Sequence, residues 1–361
     1  MSIENPSPEE TTSNEHSEPA KEQASQHLPD LNLSEPTMLV SAPSKTEIDF
    51  VNSIYEKTKN EIQKVIIGND ALIQLILAAM FSGGHILLEG VPGVAKTLMA
   101  KLISQCMNIA FKRIQFTPDL LPSDLIGVTL FNMQKTEFVF KKGPIFSNLV
   151  LIDEINRSPA KTQAALFEAM EEKQVTVDGE TYALDKPFFV IATQNPIEQE
   201  GTYKLPEAQL DRFVFKLKVD YPDLKNEVAI LQRFKSDFSQ KKVDQVQAVI
   251  HALDVEKCLD IIERIHIKNE LIDYIATIVH QTRNNGSLFL GASPRASMAI
   301  LKTAKAIAAL KGRDFVTPDD IQIVCYPVLS HRIILSPEKE MEGVTIEQVI
   351  REMIKKIEVP R

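Results

Sequence analysis

Eight residues constrain this chain more than any others: Gly90-Val91-Pro92-Gly93-Val94-Ala95-Lys96-Thr97. An apolar run, His85 to Glu89, precedes them, and a stretch with helical spacing, Leu98 to Met107, follows. Strand, glycine-containing loop and helix is the setting that a phosphate-binding loop needs. Small residues let backbone N–H groups turn inward around an anion. The helix start adds its own unpaired N–H groups and a partial positive charge. In such a loop Lys96 reaches the outer phosphates and Thr97 holds a magnesium ion. One position departs from the common pattern. The residue before the lysine is Ala95 instead of glycine, while Gly90 stands at the usual offset. Taken alone, the same residues also suit a plain Gly/Pro turn between a strand and a helix.

The chain has 361 residues, enough for a sizeable core and about two domains. Its net charge of −9 argues against nonspecific binding to nucleic acid or to an anionic membrane. Cys106, Cys258 and Cys325 are far apart and lie in apolar contexts, so neither a metal site nor a disulfide framework is implied. Buried thiols in a reducing cytosol are the expectation. The N-terminus, Met1-Ser-Ile-Glu-Asn-Pro6, lacks the basic and apolar regions of a signal peptide. No stretch approaches the apolar length of a membrane span. The histidines are scattered, and none falls in a metal motif.

Residues 1–44 are rich in Glu, Ser, Pro and Gln and nearly empty of large apolar side chains before Met38-Leu39-Val40. This composition predicts a disordered tail. Helical spacing begins with Phe50, Ile54, Tyr55, Thr58, Ile62 and Val65. A turn at Ile66-Ile67-Gly68-Asn69 leads to a second helix, Ala71 to Phe81, apolar almost all round and so buried. Alternating strands and helices then run to Val219: Phe111–Phe116, a two-run excursion at 126–131 and 137–141, Asn148–Asp153, a hairpin about Asp178-Gly179, Phe188–Ala192 and Phe213–Val219. Ser158 is expected to cap the helix after Asp153, with Pro159 in its first turn. The pattern predicts a doubly wound α/β parallel sheet. After Tyr221-Pro222-Asp223 the spacing is mainly helical, with Ser293-Pro294 and Thr317-Pro318 opening two helices. The expected organisation is a tail (1–44), an α/β nucleotide-binding domain (45–221) and a helical domain (222–361).

Asp153-Glu154 ends an uninterrupted apolar strand. In a phosphate-loop nucleotide hydrolase the strand-end Asp helps hold magnesium, and the next acid activates the attacking water. Both motifs at the carboxyl ends of parallel strands face one crevice. Asn195 ends the next buried strand and suits orientation of that water, although Asn-Pro is equally a turn signal. Arg212 reads as a salt-bridged arginine or as a catalytic one. Arg295 lies in the first turn of a helix, where a cation opposes the helix dipole and needs an anion such as a nucleotide phosphate. Spacing decides none of these three.

The chain from about residue 47 onward resembles the MoxR-type AAA+ ATPases. The resemblance is carried by Gly90–Thr97, Thr117-Pro-Asp-Leu-Leu-Pro-Ser-Asp124, Lys142-Gly-Pro-Ile-Phe146 and Leu151-Ile-Asp-Glu-Ile-Asn-Arg157. It continues in Ala164-Ala-Leu-Phe-Glu-Ala-Met-Glu171, Ala192-Thr-Gln-Asn-Pro196, Leu205-Pro-Glu-Ala-Gln-Leu-Asp-Arg-Phe213 and Gly291-Ala-Ser-Pro-Arg295. That family tolerates alanine before the lysine, so Ala95 is no longer an anomaly. The resemblance implies ATP and Mg2+, with nucleotide contacts from Gly90 through Leu98 and at Asp153. It implies that Ile66, Ile67 and Gly68 lie beside the adenine. It makes Asn195 the sensor 1 residue, Arg212 an arginine finger reaching the ATP of a neighbouring subunit, and Arg295 the sensor 2 arginine of a lid. Residues 126–142 match the helix-2 insert, and the Asp178-Gly179 hairpin matches the presensor 1 hairpin. The implied assembly is a hexameric ring acting in a chaperone-like way on protein partners, often ones with a von Willebrand factor A domain. A metal-chelatase motor subunit or a DNA-directed AAA+ motor is the alternative. The acidic charge and the lack of a basic tract weigh against DNA.

Overall fold

Leu149-Val150-Leu151-Ile152-Asp153 is apolar up to its last position, and all five residues are buried. Such a strand needs a neighbour on each side and a cover on each face. The computed structural model describes residues 41–91, 93–196, 203–235 and 244–360. The expected tail therefore lies outside the described residues up to position 40.

The chain opens with α1 (Lys45–Gln63) and α2 (Asp70–Phe81). Ser44 caps α1 in a capping box with Glu47. The α/β part then runs β1 (His85–Gly90), α3 (Lys96–Met107), β2 (Phe111–Gln115), α4 (Pro122–Ile126), β3 (Gly127–Asn132), β4 (Glu137–Lys142) and β5 (Leu149–Asp153). It continues with α5 (Ala160–Glu172), β6 (Gln174–Val177), β7 (Glu180–Ala183), β8 (Phe189–Gln194), α6 (Glu207–Leu210) and β9 (Phe213–Val219). The remainder is α7 (Leu224–Phe234), α8 (Ala252–Glu263), α9 (Asn269–Arg283), β10 (Leu288–Leu290), α10 (Pro294–Leu310), α11 (Pro318–Leu329), β11 (Ile334–Leu335), α12 (Pro337–Met341) and α13 (Ile346–Lys356).

The main sheet is parallel, in the order β2-β5-β8-β1-β9. Its three inner strands are the near-continuous apolar runs, and its two edges carry the polar residues Lys112, Arg113, Lys216 and Lys218. Successive side chains feed two separate cores. Ile86, Leu88, Leu149, Leu151 and Ile191 pack toward α1, α2 and α3. Leu87, Val150, Ile152, Val190 and Ala192 pack toward α5. The period of two along each strand is what divides them.

The excursion at 126–142 is an antiparallel hairpin, β3–β4. The β6–β7 hairpin turns on Asp178 and Gly179, both with positive φ (52° and 84°), as a tight two-residue turn requires. Tyr182 stacks on Phe140 at 4.4 Å between ring centroids, joining the two hairpins. The capping expectation at Ser158 is off by one. A short 3-10 turn occupies Ile155–Arg157, and Pro159, with ψ 153°, is the N-cap of α5. The Ser158 hydroxyl is buried without a partner instead of capping.

In the helical part, Ser293 caps α10 and Thr317 caps α11, each with proline at the helix start. The three cysteines are buried and unpaired. Among the described residues no helix is long and apolar enough to cross a membrane.

Candidate active site

Each inner strand of the sheet delivers one part of the site at its carboxyl end. Strand β1 ends at Gly90, and Lys96 begins α3. Ala95 takes a left-handed backbone (φ 60°, ψ 21°), as does Gly93 (φ 88°). No side chain caps the N-terminus of α3, so its N–H groups are left for a ligand. A Cβ at Gly90 would run into the Val219 carbonyl, so glycine is required for β1 to lie against β9 there. The Lys96 ammonium donates to the Gly90 carbonyl. Burial lowers its pKa, against the opposing pull of Asp153, Glu154 and Glu89.

Strand β5 ends at Asp153, which is 7% exposed. Glu154 follows with φ 57° and ψ 53°, a conformation that costs a non-glycine residue free energy and is held by its surroundings. The holding group is Thr193, on β8. Its hydroxyl accepts the Glu154 N–H at 3.0 Å and donates to the Asp153 carboxylate at 3.1 Å. Asn195, also buried, follows β8. From β2, Arg113 Nε donates to Asp153 Oδ2 at 2.5 Å, and Gln115 Nε2 donates to Glu154 Oε2 at 2.6 Å. Arg157 pairs with Glu154 at 3.2 Å.

These groups share one open cleft of about 370 Å³. Gly93, Val94, Ala95, Lys96, Thr97 and Leu98 form one side, and Asp153, Glu154, Thr193 and Asn195 form the other. The structure thus unites the two acidic residues and Asn195 with Gly93–Leu98 of the loop, while Gly90 and Val91 do not line the cleft. Pro92 lies outside the described residues. Ile66, Ile67 and Gly68 form the turn between α1 and α2 and do not line this cleft; Gly68 faces Asn226 at the start of α7.

Arg212 and Arg295 lie elsewhere. Arg212 Nη1 donates to the Phe167 carbonyl at 2.8 Å and to Glu171 Oε2 at 3.2 Å. Arg295 Nη2 donates to the other oxygen of the same carboxylate, also at 3.2 Å. The anion that offsets the cation at the start of α10 is therefore Glu171, where the sequence suggested a phosphate. Neither arginine lines the cleft.

Thr193, Arg113 and Gln115 escaped the sequence reading. Parity places residues 113 and 115 of β2 on the face opposite Ile114, but only the register of β2 on β5, with Gln115 beside Asp153, brings them to the two acids.

Thr97 and Asp153 supply a hydroxyl and a carboxylate, hard oxygen donors of the kind that suit Mg2+ brought in with phosphates. Among the described residues no cluster of three or more His, Cys, Asp or Glu forms a metal cage.

Known proteins resemble this chain over most of its length. The model of the ATPase family associated with various cellular activities (AAA) matches residues 85–215, and the AAA lid domain model matches residues 280–353. An uncharacterised Bacillus subtilis protein, YeaC, is 46% identical over 84% of this chain and 94% of its own length. Chaperone MoxR1 of Mycobacterium tuberculosis is 39% identical over 85% of this chain and 82% of its own. A crystal structure from Cytophaga hutchinsonii, described as a candidate ATPase, superposes with a TM-score of 0.81 at 44% identity, covering 88% of this chain and 98% of that one.

Proposed function

The chain belongs to the MoxR family of AAA+ ATPases, and from that premise we propose that it hydrolyses ATP with Mg2+ in a homo-oligomeric ring, using turnover to remodel or activate protein partners. One observation carries the reading. Lys96, Thr97, Asp153, Glu154 and Asn195 meet in a single cleft, while the two arginines expected to touch the γ-phosphate sit together outside it. A site divided in this way is completed by a second copy.

In the proposed reaction Lys96 and the N–H groups of the loop hold the β- and γ-phosphates. Thr97 and Asp153 would hold Mg2+, which when bound would offset charge on the phosphates. Glu154 accepts a proton from water, and Asn195 aligns that water in line with the γ-phosphorus. The water oxygen bonds to phosphorus, the bond to the leaving oxygen breaks, and ADP and phosphate result. The neighbour's Arg212 and Arg295 stabilise the charge that develops. Ile66, Ile67 and Gly68 are the proposed adenine contacts, with α7 across from them.

We place the nucleotide-binding body at 45–221 and the lid at 222–361, the two parts whose relative movement would carry the work. Hexameric assembly and a cytoplasmic setting follow the family pattern. The M. tuberculosis relative is named a chaperone, which supports a client protein as the target, a von Willebrand factor A domain being the family's recurrent choice. Exposed apolar residues on β3–β4, Leu130, Phe131, Met133 and Phe138, offer such a client a contact surface.

The test is ATP binding and turnover in two variants. Lys96→Ala is expected to lose ATP binding. Glu154→Gln is expected to bind ATP and fail to turn it over, collecting assembled rings. Unchanged hydrolysis by Glu154→Gln would remove the proposed role of that residue.

A further inference from the structure

Glu171 is a surface residue on the last turn of α5, yet it receives two arginines from two other elements. Arg212 precedes β9, and Arg295 belongs to the first turn of α10. Each arginine takes a different oxygen of the one carboxylate, both at 3.2 Å. We propose that Glu171 is a positioning residue for ATP hydrolysis: it holds Arg212 and Arg295 side by side so that both meet the γ-phosphate of a neighbouring copy together. The inference rests on the shared-site reading above and adds to it a residue with no place in the phosphate cleft.

Two guanidinium groups side by side repel each other, and an anion between them offsets that repulsion. Glu171 is that anion. The remaining partners are unequal. Arg212 is also anchored by the Phe167 carbonyl at 2.8 Å, whereas the only side-chain hydrogen bond of Arg295 among the described residues goes to Glu171. Losing the carboxylate therefore releases Arg295 first.

The trio is also accessible. The side chains of Arg212, Glu171 and Arg295 are 29%, 41% and 54% exposed. Ion pairs at such exposure are weak and exchangeable. A γ-phosphate carries more charge and more acceptor oxygens than a carboxylate, and both arginines can transfer to it with little loss. Glu171 is a counter-ion that sets their geometry before the phosphate arrives and yields when it does.

The backbone beneath the arginines is fixed by other means. Arg332, with a side chain 3% exposed, donates to Asp211 Oδ1 at 2.6 Å and to the carbonyls of Asp211, Phe213, Val214 and Val328. The Ser293 hydroxyl donates to Asp211 Oδ2 at 2.9 Å. This buried clamp joins the turn that carries Arg212 to the helix start that carries Arg295. Glu171 is thus not needed to hold the two elements together, and a positioning role separates experimentally from a structural one.

The experiment measures kcat and KM for ATP on the assembled full chain, with thermal melts, for wild type, Glu171→Gln, Arg295→Ala, the double variant and Arg212→Ala. Glu171→Gln is expected to lower kcat by about tenfold and shift KM by less than about twofold, and its effect is expected to shrink to near nothing in the Arg295→Ala background. Its melting temperature is expected to match wild type. Wild-type kcat in Glu171→Gln, with Arg212→Ala inactive, would overturn the proposal alone. An equal fall in both backgrounds would overturn it too, since Glu171 would then act independently of Arg295. Normal turnover by Arg212→Ala would overturn the shared-site reading and the role of Glu171 with it.

Discussion

Ala95 occupies a left-handed backbone position that costs a non-glycine residue about 1 kcal/mol. The sequence shows a departure from the usual loop at this residue, and the structure shows what the departure costs. Ala95→Gly is expected to keep ATP affinity and not to lower the melting temperature, checked by calorimetric titration and thermal unfolding. His85 shows a second kind of residue-scale control. Its Nδ1 accepts the Val190 N–H at 3.0 Å, and its Nε2 meets the Met170 carbonyl at 3.3 Å. Only the neutral ring with the proton on Nε2 satisfies both, and burial pushes the pKa down to about 4 from 6.5. An unfolded chain thus binds more protons between those two values, and stability falls as pH drops through that window. Denaturant unfolding at pH 7 and pH 5 is expected to show this loss in wild type and a smaller one in His85→Gln. A loss of equal size in the variant would assign it to other groups.

At the scale of elements, what the sequence made legible was local. The inner strands were plain because β5, β8 and β1 are covered on both faces and so are near-continuously apolar. The β6–β7 turn was plain because Asp-Gly tolerates positive φ. The cap of α5 was misplaced because Ser-Pro satisfies the local rule, while the actual start follows a 3-10 turn set by the unusual Glu154 backbone. In the site, the loop and the two acids were legible from spacing. Thr193, Gln115 and Glu171 were not, since each acts through a residue 39 or more positions away. The start of α11 combines both kinds of information. Thr317 and Asp320 form a capping box readable from sequence, but Asp320 also takes Arg313 at 2.7 Å and Lys311 at 3.1 Å with no exposure of its own side chain. Burial raises its pKa, and the hydrogen bonds from Arg313, Thr317 and Lys311 outweigh that, leaving it below 3.8. A depressed carboxylate contributes stability above its unfolded pKa, and that contribution is lost as pH falls through the folded value. Asp320→Ala is expected to cost about 3 kcal/mol at neutral pH, because it strips a buried cap and leaves Arg313 and Lys311 unpaired. A cost below about 0.5 kcal/mol would place the pair among ordinary surface ion pairs.

For the molecule as a whole, the division of charge matters more than its sum. The acids gather with the loop in one cleft, and Arg212 and Arg295 gather on Glu171 in another place. If one chain were sufficient, the arginines would belong beside Lys96. An arginine finger contributes roughly 10³ to 10⁵ in rate in related hydrolases, so a copy without access to one should be nearly silent. The direct measurement mixes two inactive variants. Arg212→Ala retains Glu154 and lacks the proposed finger; Glu154→Gln retains the proposed finger and lacks the proposed base. Each is expected to be inactive alone. In an equimolar mixture allowed to reassemble, about a quarter of the interfaces pair an intact cleft with an intact finger. The ATPase rate is predicted to recover to about that share of wild type. A mixture as inactive as its two parents would contradict the shared site, and with it the claim that this chain works as a ring.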